Sequence, residues 1–192
     1  MLRFERMANP FPISRRQALT AAIAFPSAQR TILALDSREP APNFKAKSLD
    51  GASFSNELVK GKVTLVEFWT TWCQYCRRDE NAIQSIVKDF GGQGLVVLAV
   101  NVGEPKRTVK QYLERSQRAG SIILLQDTNL AALFAARSFP FYVAFDRNVK
   151  IAGEQRGAGG EGSLRRLLRK AGLESPEDSM PDGGLQSSPR RN

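Results

Sequence analysis

Four apolar runs, each bounded by polar or turn-forming residues, set the rhythm of the chain. Val63–Trp69 reads Val-Thr-Leu-Val-Glu-Phe-Trp, and Leu95–Val102 reads Leu-Val-Val-Leu-Ala-Val-Asn-Val. Ser121–Leu125 and Phe141–Phe145 are shorter runs of the same kind. Such segments, dense in β-branched, aromatic and aliphatic residues, predict strands buried on both faces. Between them the period changes. Ala82, Ile83, Ile86, Val87 and Phe90 recur at three- and four-residue spacing and stop at Gly91-Gly92, which predicts an amphipathic helix. Pro105 suits the first turn of a second helix, with Val109, Tyr112 and Leu113 on its inner side. Leu130–Ala135 reads as a short apolar helix. Ser163 is placed to cap a last helix whose Leu164, Leu167 and Leu168 face inward while Arg165, Arg166, Arg169 and Lys170 face out. Gly172 ends it.

Two hairpins complete the pattern. Phe44–Leu49 and Ala52–Phe54 flank the turn dipeptide Asp50-Gly51, and Ser55 is placed to cap a short helical turn through Leu58. Asp146-Arg147-Asn148 supplies a second turn, with Val149–Gly153 as the return strand. The order is β-hairpin, β, α, β, α, β, α, β, β, α. It predicts an α/β domain with a mainly parallel sheet covered on both faces and finished by an antiparallel hairpin.

That domain is expected over residues 37–173. Residues 1–36 read as an export signal or a disordered basic arm. Arg3, Arg6, Arg15 and Arg16 precede the apolar stretch Ala18–Phe25 and the small residues Ser27 and Ala28. Ser14-Arg15-Arg16-Gln17-Ala18-Leu19 resembles a twin-arginine signal, although the small residue expected at −3 before Ala28 is missing. The uncharged run stops at Arg30, short of the ~17–25 residues of a membrane span. Residues 174–192 are polar and proline-bearing and predict a disordered tail.

Composition narrows the chemistry. An apolar fraction of 42% and a charged fraction of 24% are ordinary for a globular protein. The net charge of +9 is carried by scattered arginine pairs and not by a basic run interleaved with aromatics, so nucleic acid is not the expected partner. The chain has no histidine, which removes Ser-His-Asp and Cys-His catalysis and histidine metal ligation. Its two cysteines cannot complete a four-ligand zinc site alone, and no metal is expected.

Those two cysteines, Cys73 and Cys76, follow the first long strand and open the first long helix with C-x-x-C spacing. A sulfur at a helix N-terminus lies beside unpaired N–H groups and the positive end of the helix dipole, which favour thiolate over thiol. Cys73 is therefore the expected nucleophile towards a disulfide. Cys76, one turn further and more shielded, is the expected resolving thiol.

Trp69-Thr-Thr-Trp72-Cys73-Gln-Tyr-Cys76-Arg77-Arg78-Asp79 resembles the active-site segment of the thioredoxin superfamily, closest to its extracytoplasmic TlpA/ResA-like branch. Ala41-Pro42-Asn43-Phe44 with Leu49-Asp50-Gly51, Val100-Asn101-Val102 and Phe139-Pro140-Phe141 extend the resemblance over roughly residues 40–173. It implies a thioredoxin-like fold: a central mixed β-sheet with helices on both faces and an added N-terminal β-hairpin. Pro140 then aligns with the cis-proline opposite the cysteine pair, with Phe139 offering its backbone to a substrate peptide. Trp72, Gln74 and Tyr75 would shape the contact surface, and Trp69 would pack behind it.

Glu67, six residues before Cys73, aligns with a buried acid that relays a proton to or from the resolving cysteine; its other reading is a structural acid at a solvent edge. Asp79 takes the place of an auxiliary acid but is one methylene shorter, or is a helix-surface charge near the N-terminal end. Two departures from the branch are Asn81, where its helix carries proline, and Gln74-Tyr75 between the cysteines.

The resemblance implies a thiol–disulfide oxidoreductase whose only redox group is the Cys73–Cys76 disulfide. Its expected role is to reduce disulfides of exported or membrane proteins in the periplasm, with cytochrome c maturation as a typical duty of the branch. A membrane electron donor and a monomeric state fit that reading. The alternatives are an oxidase that forms disulfides on the same fold, and a non-catalytic thioredoxin-like binding module. A peroxidase needs P-x-x-x-T-x-x-C, and Val66 stands where that proline belongs.

Overall fold

The computed structural model describes residues 38–174, apart from 117, 119 and 125–127. The expectations for residues 1–36 and for the tail from 175 onward lie outside them. The elements are β1 (Lys45–Lys47), β2 (Ser53–Ser55), α1 (Asn56–Val59), β3 (Val63–Trp69), α2 (Gln74–Phe90), β4 (Leu95–Asn101) and α3 (Lys106–Leu113). They continue with β5 (Ser121–Leu124), α4 (Thr128–Leu133), β6 (Phe141–Phe145), β7 (Ile151–Arg156) and α5 (Gly160–Lys170).

The main sheet has the order β5-β4-β3-β6-β7. β3 is parallel to β4 and β4 to β5, whereas β6 is antiparallel to both β3 and β7. Every residue of β3 is buried, as its largely apolar character requires of a central strand. α2 and α3 lie on one face of the sheet, as right-handed crossovers require, and α4, on the return from β5 to β6, lies on the other.

Side-chain alternation assigns the two faces. Val66, Phe68, Leu98, Val100, Phe141, Val143 and Phe145 pack with Leu130, Ala131 and Phe134 around α4 and with Phe44, Ala46 and Val59 of the N-terminal segment. Phe68 lies 5.9 Å from Phe141 and 5.8 Å from Phe134 between ring centroids. Each such aromatic pair adds about 0.5–1.5 kcal/mol to the burial itself. On the opposite face Val63, Leu65, Val97, Tyr142 and Ala144 meet Ile83, Ile86 and Phe90 of α2 and Leu164, Leu167 and Leu168 of α5.

The β1–β2 hairpin forms a separate two-stranded sheet beside the main one. It is tied down at both ends. Leu49 N–H donates to Ile123 O on the edge strand β5 at 2.9 Å, and Ala41 N–H donates to Val149 O at 2.9 Å. The Asn56 side chain accepts from Phe44 N–H at 2.8 Å and donates to Pro42 O at 3.2 Å.

Four local expectations change. Ser55 takes the N-cap position of α1 without a side-chain cap. Pro105 is likewise the N-cap residue of α3 and lies just outside the helix. α5 starts at Gly160, not after Ser163, because Asp79 Oδ1 accepts the Gly160 N–H at 3.2 Å, and the Ser163 hydroxyl instead donates to Gln155 at 2.6 Å. Val149 belongs to the turn before β7 with φ 60°, since Asp146 accepts the N–H groups of Asn148 and Lys150 at 2.9 and 3.0 Å and lengthens that turn.

Candidate active site

The sheet delivers its cysteines where β3 ends. Cys73 is the N-cap residue of α2, with extended backbone, and its sulfur accepts the Cys76 N–H at 3.1 Å. That sulfur thus takes the place of the Ser or Asp oxygen that usually satisfies an orphan amide at a helix start. Cys73 and Cys76 are joined as a disulfide with Cα atoms 5.3 Å apart. Cys73 is 4% exposed and Cys76 fully buried, so the first sulfur is the one a partner can reach. The helix runs unbroken past Asn81 to Phe90.

A single carboxylate holds the preceding turn. Glu104, in the loop between β4 and α3, accepts the Thr71 N–H at 2.7 Å, the Thr71 hydroxyl at 2.6 Å and the Asn101 side-chain amide at 2.7 Å. Val102 N–H donates to Trp69 O at 3.0 Å and closes the same junction.

The loop before β6 forms the opposite wall. The Phe139–Pro140 bond is cis. Phe139 packs on the cluster of Trp69, Cys73, Cys76, Ala99 and Val109, and its ring lies edge-on to Trp72 at 6.2 Å. Trp72 is 68% exposed and Tyr75 48% exposed, beside an exposed Gln74. Trp69, by contrast, is fully buried, with Tyr112 5.5 Å away and the Arg118 guanidinium 3.9 Å over its ring.

Two buried acids lie on β3 and α2, the elements that flank the pair. Glu67 is fully buried on the same sheet face as Trp69, between Tyr142 of β6 and Ala99 of β4 in register. Its Oε2 is 2.5 Å from Arg118, which also reaches Glu80 at 3.1 Å. Glu80 in turn accepts from the Tyr112 hydroxyl at 2.6 Å and the Ser116 hydroxyl at 2.5 Å. Desolvation pushes the Glu67 carboxyl above its ordinary range, and Arg118 offsets that only in part. Glu67 Oε1 has no hydrogen-bond partner among the described residues, leaving one lone-pair site open for a proton. Asp79 is 2% exposed; it accepts from Tyr142 at 3.1 Å as well as from Gly160. Burial and the nearby Glu67 and Asp79 raise the Tyr142 hydroxyl, so Tyr142 stays a donor.

Residues 38–164 match the AhpC/TSA family. The chain belongs to that family. Within it, the chain is 29% identical over 123 residues to a thiol-disulfide oxidoreductase ResA from Geobacillus thermodenitrificans, covering 64% of this chain and 70% of that one. Two solved structures share the fold. A thiol:disulfide interchange protein of the thioredoxin family from Chlorobium tepidum superposes with a TM-score of 0.61 at 24% identity, covering 70% of this chain and 96% of that one. The exposed lipoprotein thioredoxin Etrx1 of Streptococcus pneumoniae does so with a TM-score of 0.61 at 21% identity, covering 67% and 99%. The architecture is thioredoxin-like, with the antiparallel β1–β2 sheet added on the N-terminal side.

In this AhpC/TSA chain the structure gathers Cys73, Cys76, Trp72, Phe139 and Pro140 at one end of the sheet, with Glu67 and Asp79 buried among the helices that cover it. Asp79 is neither a surface charge nor solvated; it joins α2 to β6 and the start of α5. Arg118 and Glu104 are the residues that sequence reasoning missed. Arg118 sits between residues with no apolar period. The one hint is Gly120, where a Cβ would meet a Val87 methyl at 2.2 Å, so that glycine lets the segment press against α2. Glu104 has a similarly faint trace in the polar Asn101 that ends β4 and in Thr71, two residues beyond β3. Among the described residues no group of three or more acids or cysteines converges in a way that could hold a metal ion.

Proposed function

We propose that the protein is a thiol–disulfide oxidoreductase that reduces disulfides of partner proteins outside the cytoplasm. The observation that carries this is the asymmetry of the pair: Cys73 at the helix cap with a backbone donor on its sulfur, and Cys76 fully buried behind it. In the reduced protein the same donor and the helix dipole favour the Cys73 thiolate.

The Cys73 thiolate attacks one sulfur of the substrate disulfide, forming a mixed disulfide and expelling the other sulfur as a thiolate. Cys76 then loses its proton, and its thiolate attacks Cys73 Sγ. The Cys73–Cys76 disulfide forms, the second substrate sulfur leaves as thiolate, and two electrons have passed from protein to substrate. Glu67 is suited to take the Cys76 proton, because a carboxyl raised by burial exchanges protons closer to neutral pH. Trp72 and Phe139 border the Cys73 turn, and the Phe139 backbone makes no hydrogen bond among the described residues, which suits pairing with an extended substrate segment. The cycle uses no group beyond the disulfide itself and needs a donor of two electrons to reset it.

The location rests on the N-terminal basic and apolar layout and on the exposed-lipoprotein character of the pneumococcal relative in fold. Cytochrome c maturation clients fit as exported proteins with cysteine pairs. Peroxide reduction is disfavoured by Val66 in place of the proline that chemistry requires.

The decisive experiment is a redox titration of the pair together with a Cys76→Ser variant. The reductive reading expects a potential below ~−200 mV, and a mixed disulfide between Cys73 and a disulfide substrate that accumulates in the variant. A potential near ~−120 mV, that of a strong oxidant, would overturn it.

A further inference from the structure

A groove of about 380 Å³ opens beside the cysteine pair, lined by Arg77 of α2 and by Gln111, Tyr112, Arg115 and Ser116 at the end of α3. Arg77 directly follows Cys76 in the chain. Tyr112 lies against Trp69, whose cluster contains both cysteines. The groove therefore shares its floor with the reactive turn, on the β4 side of β3, whereas Phe139 borders that turn from the β6 side.

The residues that line it include two cations and no acid. The Tyr112 and Ser116 hydroxyls are committed to Glu80, and the Glu80 carboxylate also holds Arg118, so that acid is already engaged. Among the described residues neither Arg77 nor Arg115 has a carboxylate partner, and both are exposed. Arg78 adds a third cation on the same turn, 5.0 Å over the Tyr75 ring. Two planar guanidiniums facing one groove match the geometry of carboxylates, which they can hold through paired N–H···O bonds.

We propose that this groove docks an acidic segment of the substrate protein, with Asp or Glu side chains placed near the cysteine that reacts with Cys73. The inference rests on the thiol–disulfide reading and adds to it a substrate class: disulfides flanked by acidic residues on the side that meets α3. A substrate strand laid along Phe139 on one side of Cys73 and acidic residues held by Arg77 and Arg115 on the other fix the approach from both directions. Charge complementarity of this kind acts mainly on encounter and register.

The test compares three matched disulfide peptides, flanked by Asp/Glu, by Asn/Gln or by Lys, in reduction by the full chain, alongside a small uncharged disulfide. The expected result is that the acidic peptide is reduced about three- to tenfold faster than the neutral one at low ionic strength. The lysine peptide is slowest, and the ratios shrink as salt rises past ~0.15 M. In Arg77→Gln/Arg115→Gln the acidic-to-neutral ratio falls towards one. A cysteine-free acidic peptide should also bind the parent chain more tightly than the double variant. Equal rates for the three peptides, or a preference that survives the double substitution, would overturn the proposal. So would peptide-independent rates combined with arginine-dependent binding to phosphatidylglycerol vesicles, which would assign the groove to a membrane surface. If the parent chain does not reduce even the small uncharged disulfide, the exchange reading itself falls, and the proposal with it.

Discussion

Arg118 places its guanidinium 2.5 Å from Glu67, with the two side chains 3% and 0% exposed. The pair joins residues 51 positions apart and lies directly under the aromatic floor of the cysteine turn, because the same guanidinium stacks on Trp69. Removing one member of such a pair leaves the other charge buried without compensation. Arg118→Met should therefore destabilise the protein by about 3 kcal/mol or more in urea unfolding with the disulfide intact. Adding Glu67→Gln should recover a substantial part of that loss. A cost below about 1 kcal/mol for the single variant would mean that the pair does not hold the segment to β3.

The protonation of Glu67 carries a pH signature. Its folded value lies above its ordinary 4.5, with desolvation as the larger cause and Arg118 acting against it. A raised acid binds its proton more readily when folded. Its contribution to stability is fully present below about pH 4.5 and is lost as pH rises through the folded value. The stability difference between the parent and Glu67→Gln should therefore shift against the parent between about pH 4.5 and neutrality. Paired unfolding curves across that range would show it, and a flat difference would place the carboxyl at its ordinary value.

Glu104 offers a separate handle on the turn. Glu104→Ala strands the Thr71 N–H, the Thr71 hydroxyl and the Asn101 amide, at a cost of about 1–3 kcal/mol for the buried donors. It should also change the alkylation rate of Cys73 in the reduced protein, with Glu104→Gln recovering part of both effects because its carbonyl still accepts. An altered melting temperature with an unchanged alkylation rate would make Glu104 a stabiliser of the loop alone.

Trp72 separates recognition from folding. At 68% exposure, with an edge-on ring contact to Phe139 at 6.2 Å, Trp72→Ala should change stability by less than about 1 kcal/mol. Reduction of a folded protein disulfide should slow more than reduction of a small disulfide reagent, measured side by side. Equal slowing of the two would show that Trp72 serves the sulfur chemistry and not the partner surface.

What the sequence determined by itself is what short-range pattern encodes. Apolar runs placed β3, β4 and β6, the three-and-four spacing placed α2, and the C-x-x-C pair at the junction of β3 and α2 named the chemistry. Thioredoxin resemblance added the fold and the wall at Pro140. The tertiary structure decided everything that depends on which distant side chains meet. Glu67 was legible as an anomaly in an apolar strand, but its counter-ion arrives from a segment with no periodic signal of its own. Glu104 reaches Thr71 across 33 positions, and Asp79 claims the Gly160 amide across 81, which moves the start of α5 ahead of its apparent serine cap. Periodicity reports which way a residue faces along its own element. The partner of a buried charge is chosen by crossovers that bring separate elements together, and no local pattern records that choice.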